Sequence, residues 1–538
     1  MSYTLCERCG RTLDKQSPRG DVALTPPPTI PFKSPTDEII YIQSQVRRVE
    51  SDIERLTSER VKLQKRLNAL AASTVTLPYE IISTIFQHAC PPLDVGSTQD
   101  SSTADSGSSA PGVKDGGITY PTLPFKLAAV CSQWRDIALS LPQLWTSVAL
   151  TLYQSKTASN AAALDTFFQR SGSWQVTVSL IFASGDEGRD RLENDTPPSL
   201  DVLRVFVKNS SRWGTLKIDG LPPEWIPALR DAQHDTPKIK QLWLCPYDNS
   251  REQQMVDIFV DAPELRRVTL DNTFLSAITL PWTGLTHLKV SWVSIDECAE
   301  MLRRCPNLLE CDFQRILSNA EFHTLPPADE DPPIILPNLH TLRWSYAGDA
   351  WEFQLFERIQ FPSLKTLKLK LRYDLTHFNI IQNILGKVVG ETSVGIEKLD
   401  LDLGCPWANV CEILRKVPRV REVRLVDEHD PEFVRNLMAT LVPPSAASIV
   451  ENGLSTVFLP ELKSLEFQGN NPTDFSFPKL VVEQLQRRLE NVNLELSSEV
   501  FVDGLAGQGG VVKEGLKQLL RMGMKIRIVN GFDGKTWL

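Results

Sequence analysis

The longest part of the chain repeats one short pattern of apolar and polar positions, Pro-x-Leu-x-x-Leu-x-Leu. Full copies begin at Pro237, Pro263, Pro306, Pro337, Pro362, Pro418 and Pro460, and weaker copies without the proline begin at Ser211, Thr283 and Val394. Most neighbouring copies start roughly 20 to 32 residues apart, which straddles the spacing of leucine-rich repeats. The last two apolar positions alternate with polar ones, so each copy is predicted to be a short strand with one buried face.

The segments between these copies carry apolar residues at helical spacing, as residues 295–305 do. Units of one strand and one helix stack into a right-handed solenoid with a parallel sheet along its concave side. The proline before each strand stops the preceding helix and leaves the ladder of the sheet intact. The predicted fold class is therefore an α/β repeat, a leucine-rich-repeat-like solenoid with a curved parallel sheet, over residues 151–538.

The strand period also predicts which residues line the concave face of the sheet. In each copy, the residue between the two buried positions points away from the core. These residues are Lys217, Trp243, Thr269, Lys289, Asp312, Arg343, Lys368, Asp400, Arg424 and Glu466. Six of them are the predicted contacts for a target protein: Trp243, Lys289, Arg343, Lys368, Asp400 and Arg424. Trp243 is singled out because aromatic side chains are favoured interface anchors; the alternative is that it packs on a neighbouring side chain or loop.

Residues 37–72 carry apolar side chains at alternating spacings of three and four, the heptad pattern of a coiled coil. The seam consists of Ile39, Ile42, Val46, Val49, Ile53, Leu56, Leu63, Leu67 and Leu70, and Arg60 interrupts it. Two structures fit this pattern: a coiled coil that makes a homodimer through residues 39–70, or one long helix folded back on its own chain. Residues 1–36 are rich in proline, serine and threonine, which predicts a disordered tail.

Two short helical patterns lie between the heptad helix and the repeats. The first follows Leu77 and Pro78 and consists of Ile81, Ile82, Ile85 and Phe86. The second predicts one helix, ended by Pro142, with apolar positions Leu127, Val130, Cys131, Trp134, Ala138 and Leu141. The Ser/Gly/Asp-rich segment between them, about 91–122, is predicted to be disordered. Closing such a loop costs only about 0.6 kcal/mol per doubling of its length, so the two patterns can still meet.

The residue identities in these two patterns resemble the F-box, a three-helix module that binds the Skp-family adaptor of cullin-RING ubiquitin ligases. The intervening segment departs from the family, whose motif is more compact. The resemblance implies a small all-α F-box domain over residues 73–150. It also implies that the adaptor is bound by Leu77, Pro78, Glu80, Ile81, Ile85, Phe86, Val130, Cys131, Trp134, Leu144 and Trp145.

Several repeat units are similar to the irregular leucine-rich repeats that follow the F-box in proteins of mushroom-forming fungi. The similar segments are ALDTFFQRSGSWQVTVSL, VFVKNSSRWGTLKI, DAPELRRVTL and TLPWTGLTHLKV. This resemblance implies the substrate receptor of an SCF-type ubiquitin ligase, with the adaptor, and through it a cullin, on the F-box and an unknown protein target on the repeats. Two rival hypotheses are a non-ligase F-box scaffold or regulator, and an unrecognised hydrolase or transferase on the solenoid.

Composition and charge argue against several functional classes of protein. The formal net charge of -9 argues against a nucleic-acid-binding protein. No apolar run reaches membrane-spanning length and the N-terminus has no apolar core of a signal peptide, so we expect a cytoplasmic or nuclear protein that binds no membrane. The ten cysteines do not form a disulfide framework, which favours reduced thiols that mostly fill the core.

Few residues carry recognisable catalytic chemistry. Cys6 and Cys9 form half of a zinc-binding set, but no second pair lies nearby, which favours a flexible tail with two thiols. The seven histidines are scattered and none pairs with a carboxylate or cysteine at catalytic or ligand spacing. The prediction is therefore a protein that is not an enzyme and holds no metal or cofactor.

Overall fold

The structure is a computed structural model that describes two compact units, residues 1–78 and 79–538. The described residues are 4–5, 12–13, 34–71, 77–91, 93, 122–152, 157–182, 200–233, 235–246, 253–317, 332–346, 350–371, 386, 395–402, 407–427, 459–470, 491–497 and 525–529. Most of the predicted insertion at 91–122 and the Cys6–Cys9 pair lie outside them.

The first unit contains one long helix, α1 (Pro35–Ala71), preceded by a short antiparallel pair of β1 (Thr4–Leu5) and β2 (Thr12–Leu13). Ser34 precedes α1, and its hydroxyl accepts a hydrogen bond from the Asp37 N–H at 3.2 Å, as a capping side chain does. The seam positions with described side chains are all exposed. The β1–β2 pair lies in the tail of residues 1–36, and most of that tail lies outside the described residues.

The second unit begins with three short helices, α2 (Tyr79–Ala89), α3 (Thr122–Val130) and α4 (Ser132–Ser140), followed by a 3-10 turn at Pro142–Trp145. The prediction of one helix across 127–141 is wrong, because the chain breaks at Cys131. This residue is extended, with φ -157 and ψ 173, and its Sγ accepts the Trp134 N–H at 3.4 Å. The break keeps the apolar period in phase, which is why periodicity alone did not reveal it.

In the described part of the chain, fourteen parallel strands form one sheet, ordered by sequence from β3 to β18 except for β10 and β12, which pair with each other. The strands of the large sheet are β3 (Ser147–Leu152), β4 (Val176–Phe182), β5 (Trp213–Leu221), β6 (Gln241–Pro246), β7 (Arg267–Asp271), β8 (His287–Ser291), β9 (Glu310–Gln314), β11 (Thr341–Tyr346), β13 (Thr366–Leu371), β14 (Lys398–Asp402), β15 (Glu422–Asp427), β16 (Ser464–Asn470), β17 (Asn491–Ser497) and β18 (Lys525–Val529). The short pair is β10 (Ile334–Ile335) and β12 (Ile359–Gln360). The predicted parallel sheet of one strand per repeat is confirmed.

Helices connect many of these strands: α5 (Thr157–Arg170), α6 (Leu200–Val207), α7 (Ile226–Leu229), α8 (Ile295–Arg304), α9 (Ala350–Arg358) and α10 (Trp407–Arg415). Between β7 and β8 the prediction of a helix in each unit is wrong. That connection, residues 272–286, holds only two 3-10 turns, at Leu275–Ala277 and Trp282–Gly284.

Helix α8 shows how the local sequence sets one repeat. Ser294 and Glu297 form a capping box, in which each side chain accepts the backbone N–H of the other. Cys298, Met301 and Leu302 recur at helical spacing and are buried. The core therefore lies between the strands and the helices that follow them.

The described cysteines have no disulfide partner, and those inside the solenoid are buried or half-buried. Burial raises the pKa of the Cys305 thiol to about 12, and it raises the pKa of Cys298 and of Cys311 well above the ordinary value. These thiols stay protonated at neutral pH and act as small apolar side chains. Within the described part of the chain, no helix is both long enough and apolar enough to cross a membrane.

Candidate protein-binding surfaces

The ten residues predicted to line one face of the sheet occupy a single line across ten consecutive strands. Each is paired in register with the next, from Lys217 on β5 to Glu466 on β16. We call this line the ladder row and the face that carries it the open face. The flanking apolar positions whose side chains are described are buried, as Leu367 and Leu369 are on either side of Lys368. The predicted strand register is therefore confirmed.

Ion pairs join most charged members of the ladder row to their neighbours on adjacent strands. Asp312 lies between Lys289 and Arg343, at 3.9 Å and 3.7 Å, and only 7% of its side chain is exposed. Asp400 repeats this arrangement between Lys368 and Arg424, at 3.5 Å and 3.4 Å. The four cations proposed as target contacts are therefore already bound to carboxylates of their own chain.

The row continues this alternation of charge with one exception. Arg424 also contacts Glu466 at 3.4 Å, while Arg343 and Lys368 are neighbours in register without a carboxylate between them. Besides Asp312, Arg343 contacts Glu310, at 3.5 Å, outside the row. Among the ten row positions, Arg343 and Lys368 are thus the point where two like charges lie side by side.

Trp243 occupies its predicted place in the ladder row, where Lys217 of the adjacent strand covers its ring. The Lys217 Nζ lies 3.0 Å from the ring centroid, a cation–π contact. The same ammonium group is 3.7 Å from the Asp219 carboxylate, and burial lowers the Lys217 pKa. The structure therefore shows the alternative in which Trp243 packs on a neighbouring side chain, and Lys217 reduces the ring area available to a partner.

Two half-buried polar groups, Asp271 and Cys245, lie at the carboxyl ends of β7 and β6. Burial raises the pKa of the Asp271 carboxyl, with Asp219 adding to the shift, and its Oδ1 has no hydrogen-bond partner within the described residues. Burial also raises the pKa of the Cys245 thiol to about 12. The described residues contain no group of three or more His, Cys, Asp or Glu side chains arranged for a metal ion.

The helical module of α2, α3 and α4 has an aromatic core. The Phe86 ring is 4.9 Å from that of Trp134, and Trp145 lies 5.1 Å from Phe125 and 5.3 Å from Phe167 of α5. The Trp145 indole donates a hydrogen bond to the Ala138 carbonyl at 2.8 Å. These contacts connect the three helices to the first helix of the repeats.

The predicted adaptor-binding residues differ in exposure. Phe86, Leu144 and Trp145 are buried, and their side chains pack within the module. Cys131 and Trp134 are half-buried, while Pro78, Glu80, Ile81, Ile85 and Val130 are exposed and Leu77 is half-exposed. The packing of three helices on one another decides this division, and the residue types alone did not indicate it.

Helix α2 carries two apolar stripes, one buried and one exposed. Ile82 and Phe86 face the core, whereas Ile81 and Ile85, one turn apart, are 48% and 49% exposed. Val130, at the end of α3, is also exposed. Two exposed isoleucines at i and i+4 are neighbours on the helix surface and form a short apolar stripe there.

No family model matches the chain, and no curated protein matches it. Among solved structures, the chain is similar to the leucine-rich repeat-containing protein LegL7 from Legionella pneumophila, with 15% identity, 62% of this chain and 89% of that chain covered, and a TM-score of 0.32. It is also similar to a chain of the TLR13–ssRNA13 complex, with 14% identity, 55% and 37% covered, and a TM-score of 0.26. The repeat architecture rests on the strand order and register of the chain itself, to which similarities at these scores add nothing.

Proposed function

We propose that this chain is the substrate-recognition subunit of an SCF-type cullin-RING ubiquitin ligase. In this proposal α2, α3 and α4 bind a Skp-family adaptor and the open face of the sheet binds a protein target. The observation that carries the proposal is the exposed stripe of Ile81 and Ile85, directly after the Leu77-Pro78 pair of the motif. A solvent-exposed stripe on a helix whose other apolar face is already buried fits a docking surface.

The contribution of the chain in this proposal is proximity. A receptor that holds the target beside the ubiquitin-charged enzyme raises the effective concentration of target lysines without any covalent step of its own. The open face suits such a role because its paired charges fix the orientation of a partner more than they add affinity. We therefore propose that the chain itself is not an enzyme.

The adaptor-binding half of the proposal can be tested with a matched pair of variants on α2. Ile85→Asp places a charge in the exposed stripe, whereas Gln87→Asp places the same charge on an exposed position outside it. Both variants of the full chain are co-expressed with a Skp-family adaptor, and the adaptor retained on the purified chain is quantified. We expect Ile85→Asp to retain at least about tenfold less adaptor than the parent, the usual effect of losing a hot-spot contact. We expect Gln87→Asp to retain as much adaptor as the parent.

The ligase half of the proposal is tested by whether cullin is present in the purified complex. The non-ligase scaffold hypothesis predicts adaptor binding but no cullin in the purified complex, whereas the ligase hypothesis predicts cullin together with the adaptor. Equal adaptor retention by the two variants would contradict the proposed docking surface. Adaptor bound through the Ile85 stripe without cullin would leave the surface in place and replace the ligase function with the scaffold function.

A further inference from the structure

The exposed seam of α1 fits a second copy of the same helix. Heptad positions a are Ile39, Val46, Ile53, Arg60 and Leu67, and positions d are Ile42, Val49, Leu56, Leu63 and Leu70. The described seam side chains are between 45% and 69% exposed on a helix of 37 residues, about five heptads long. β-branched residues at a with mainly leucine at d favour two parallel strands. We propose that α1 forms a parallel, in-register homodimer.

The charges beside the seam favour the parallel orientation. In a parallel dimer, the side chain at position 60 enters a hole formed on the second copy by Leu56, Glu59, Arg60 and Leu63. Arg60 therefore meets both Glu59 and Arg60 of the second copy. Symmetry makes the contact with Glu59 twice, and these two attractive contacts offset the one contact between the two arginines. The one polar break in the seam thus has an acidic partner built into the adjacent g position.

In an antiparallel dimer with full overlap, residues of like charge meet beside the seam. Matching each a position with a d position pairs residue 53 with residue 56, and this brings the two g residues Asp52 and Glu59 of opposite copies together. Both are acidic, and symmetry again makes the contact twice. On the single helix, Arg55 bridges the two, at 3.4 Å from each carboxylate. Such exposed pairs contribute little, so they do not remove the repulsion.

The chain provides a matched pair of valines for the test. Val49 lies on the seam and Val61 lies off it, and both are 45% exposed. The mass of the full chain is measured by light scattering at micromolar concentration in reducing buffer, so that disulfides cannot join copies. We expect the parent and Val61→Asp to have twice the 60.4 kDa of one chain. We expect Val49→Asp to be a monomer, since its dimer dissociation constant should rise at least about a hundredfold when a charge is buried without a partner.

The orientation is tested by Glu59→Lys. In the parallel dimer this change sets an ammonium group beside Arg60 of the second copy, so the dissociation constant should rise several-fold. In the antiparallel dimer it replaces a like-charge contact with an attractive one, so the dimer should become tighter. A tighter or unchanged dimer would overturn the parallel register. A monomeric or trimeric parent, or equal behaviour of the two valine variants, would overturn the dimer itself.

Discussion

Trp145 should be a structural residue of the helical module, although the sequence motif places it among the adaptor contacts. Its side chain is 1% exposed, packs on Phe125 and Phe167, and donates a hydrogen bond to the Ala138 carbonyl at 2.8 Å. Replacing a buried tryptophan with alanine typically costs about 3–5 kcal/mol, part of it from the cavity left behind. Trp145→Phe keeps an aromatic ring but leaves the Ala138 carbonyl without its N–H donor, so we expect a loss of about 1–3 kcal/mol of stability.

Hydrogen exchange measures this loss better than a melting curve, because a chain with separate units does not unfold in one step. Amides of α3 and α4 in Trp145→Ala should exchange about a hundredfold or more faster than in the parent chain, since each 1.4 kcal/mol is a factor of ten. Trp174→Ala is the control, because that tryptophan is 51% exposed. Equal exchange in the two alanine variants would refute the assignment of Trp145 to the core. Loss of adaptor binding by Trp145→Phe with normal protection of α3 and α4 would show that Trp145 contacts the adaptor directly.

Three further predictions concern the solenoid. Burial raises the Asp312 pKa despite its two cations, so the folded state resists its charge. Asp312→Asn should therefore raise the melting temperature at pH 7, and the difference from the parent should shrink as the pH falls toward the ordinary carboxyl pKa. Asp402→Asn, at a half-exposed ion pair, should change the melting temperature little. A melting temperature lowered at pH 7 would show that the attraction of Lys289 and Arg343 outweighs burial. Trp243→Ala should destabilise the chain by about 1–2 kcal/mol in denaturant titrations because Lys217 loses its cation–π partner, and an unchanged midpoint would contradict that packing. Ser294→Ala should cost about 1 kcal/mol through the lost capping box of α8, and equal protection of the α8 amides in variant and parent would contradict it.

The sheet was predictable from sequence in detail because the strand period is strict. Each polar residue between two buried leucines has only one face to occupy, so aligning the copies placed all ten ladder-row residues correctly. The same alignment contains the alternation of Lys289, Asp312 and Arg343, from which the ion pairs could also have been inferred. The raised pKa of Asp312 could not have been inferred from the sequence, since the burial of its carboxyl depends on how closely the neighbouring side chains cover it.

The helical module was less predictable for a physical reason. Its apolar pattern continues in phase across Cys131, so one helix and two helices give the same period. The motif identified residues that matter to the module, but Trp145 and Ile85 look alike at that level, as apolar members of one pattern. Only the packing of the helices separates the buried aromatic core from the exposed stripe.

Binding of a Skp-family adaptor by the helical module is measured most directly as the stoichiometry of the complex. The full chain is co-expressed with the adaptor, and the mass of the purified complex is determined by native mass spectrometry for the parent and for Leu77→Ala/Pro78→Ala. We predict one adaptor for each copy of the parent chain and no adaptor on the double variant. A double variant that retains one adaptor per chain, or a parent that binds none, would contradict the claim.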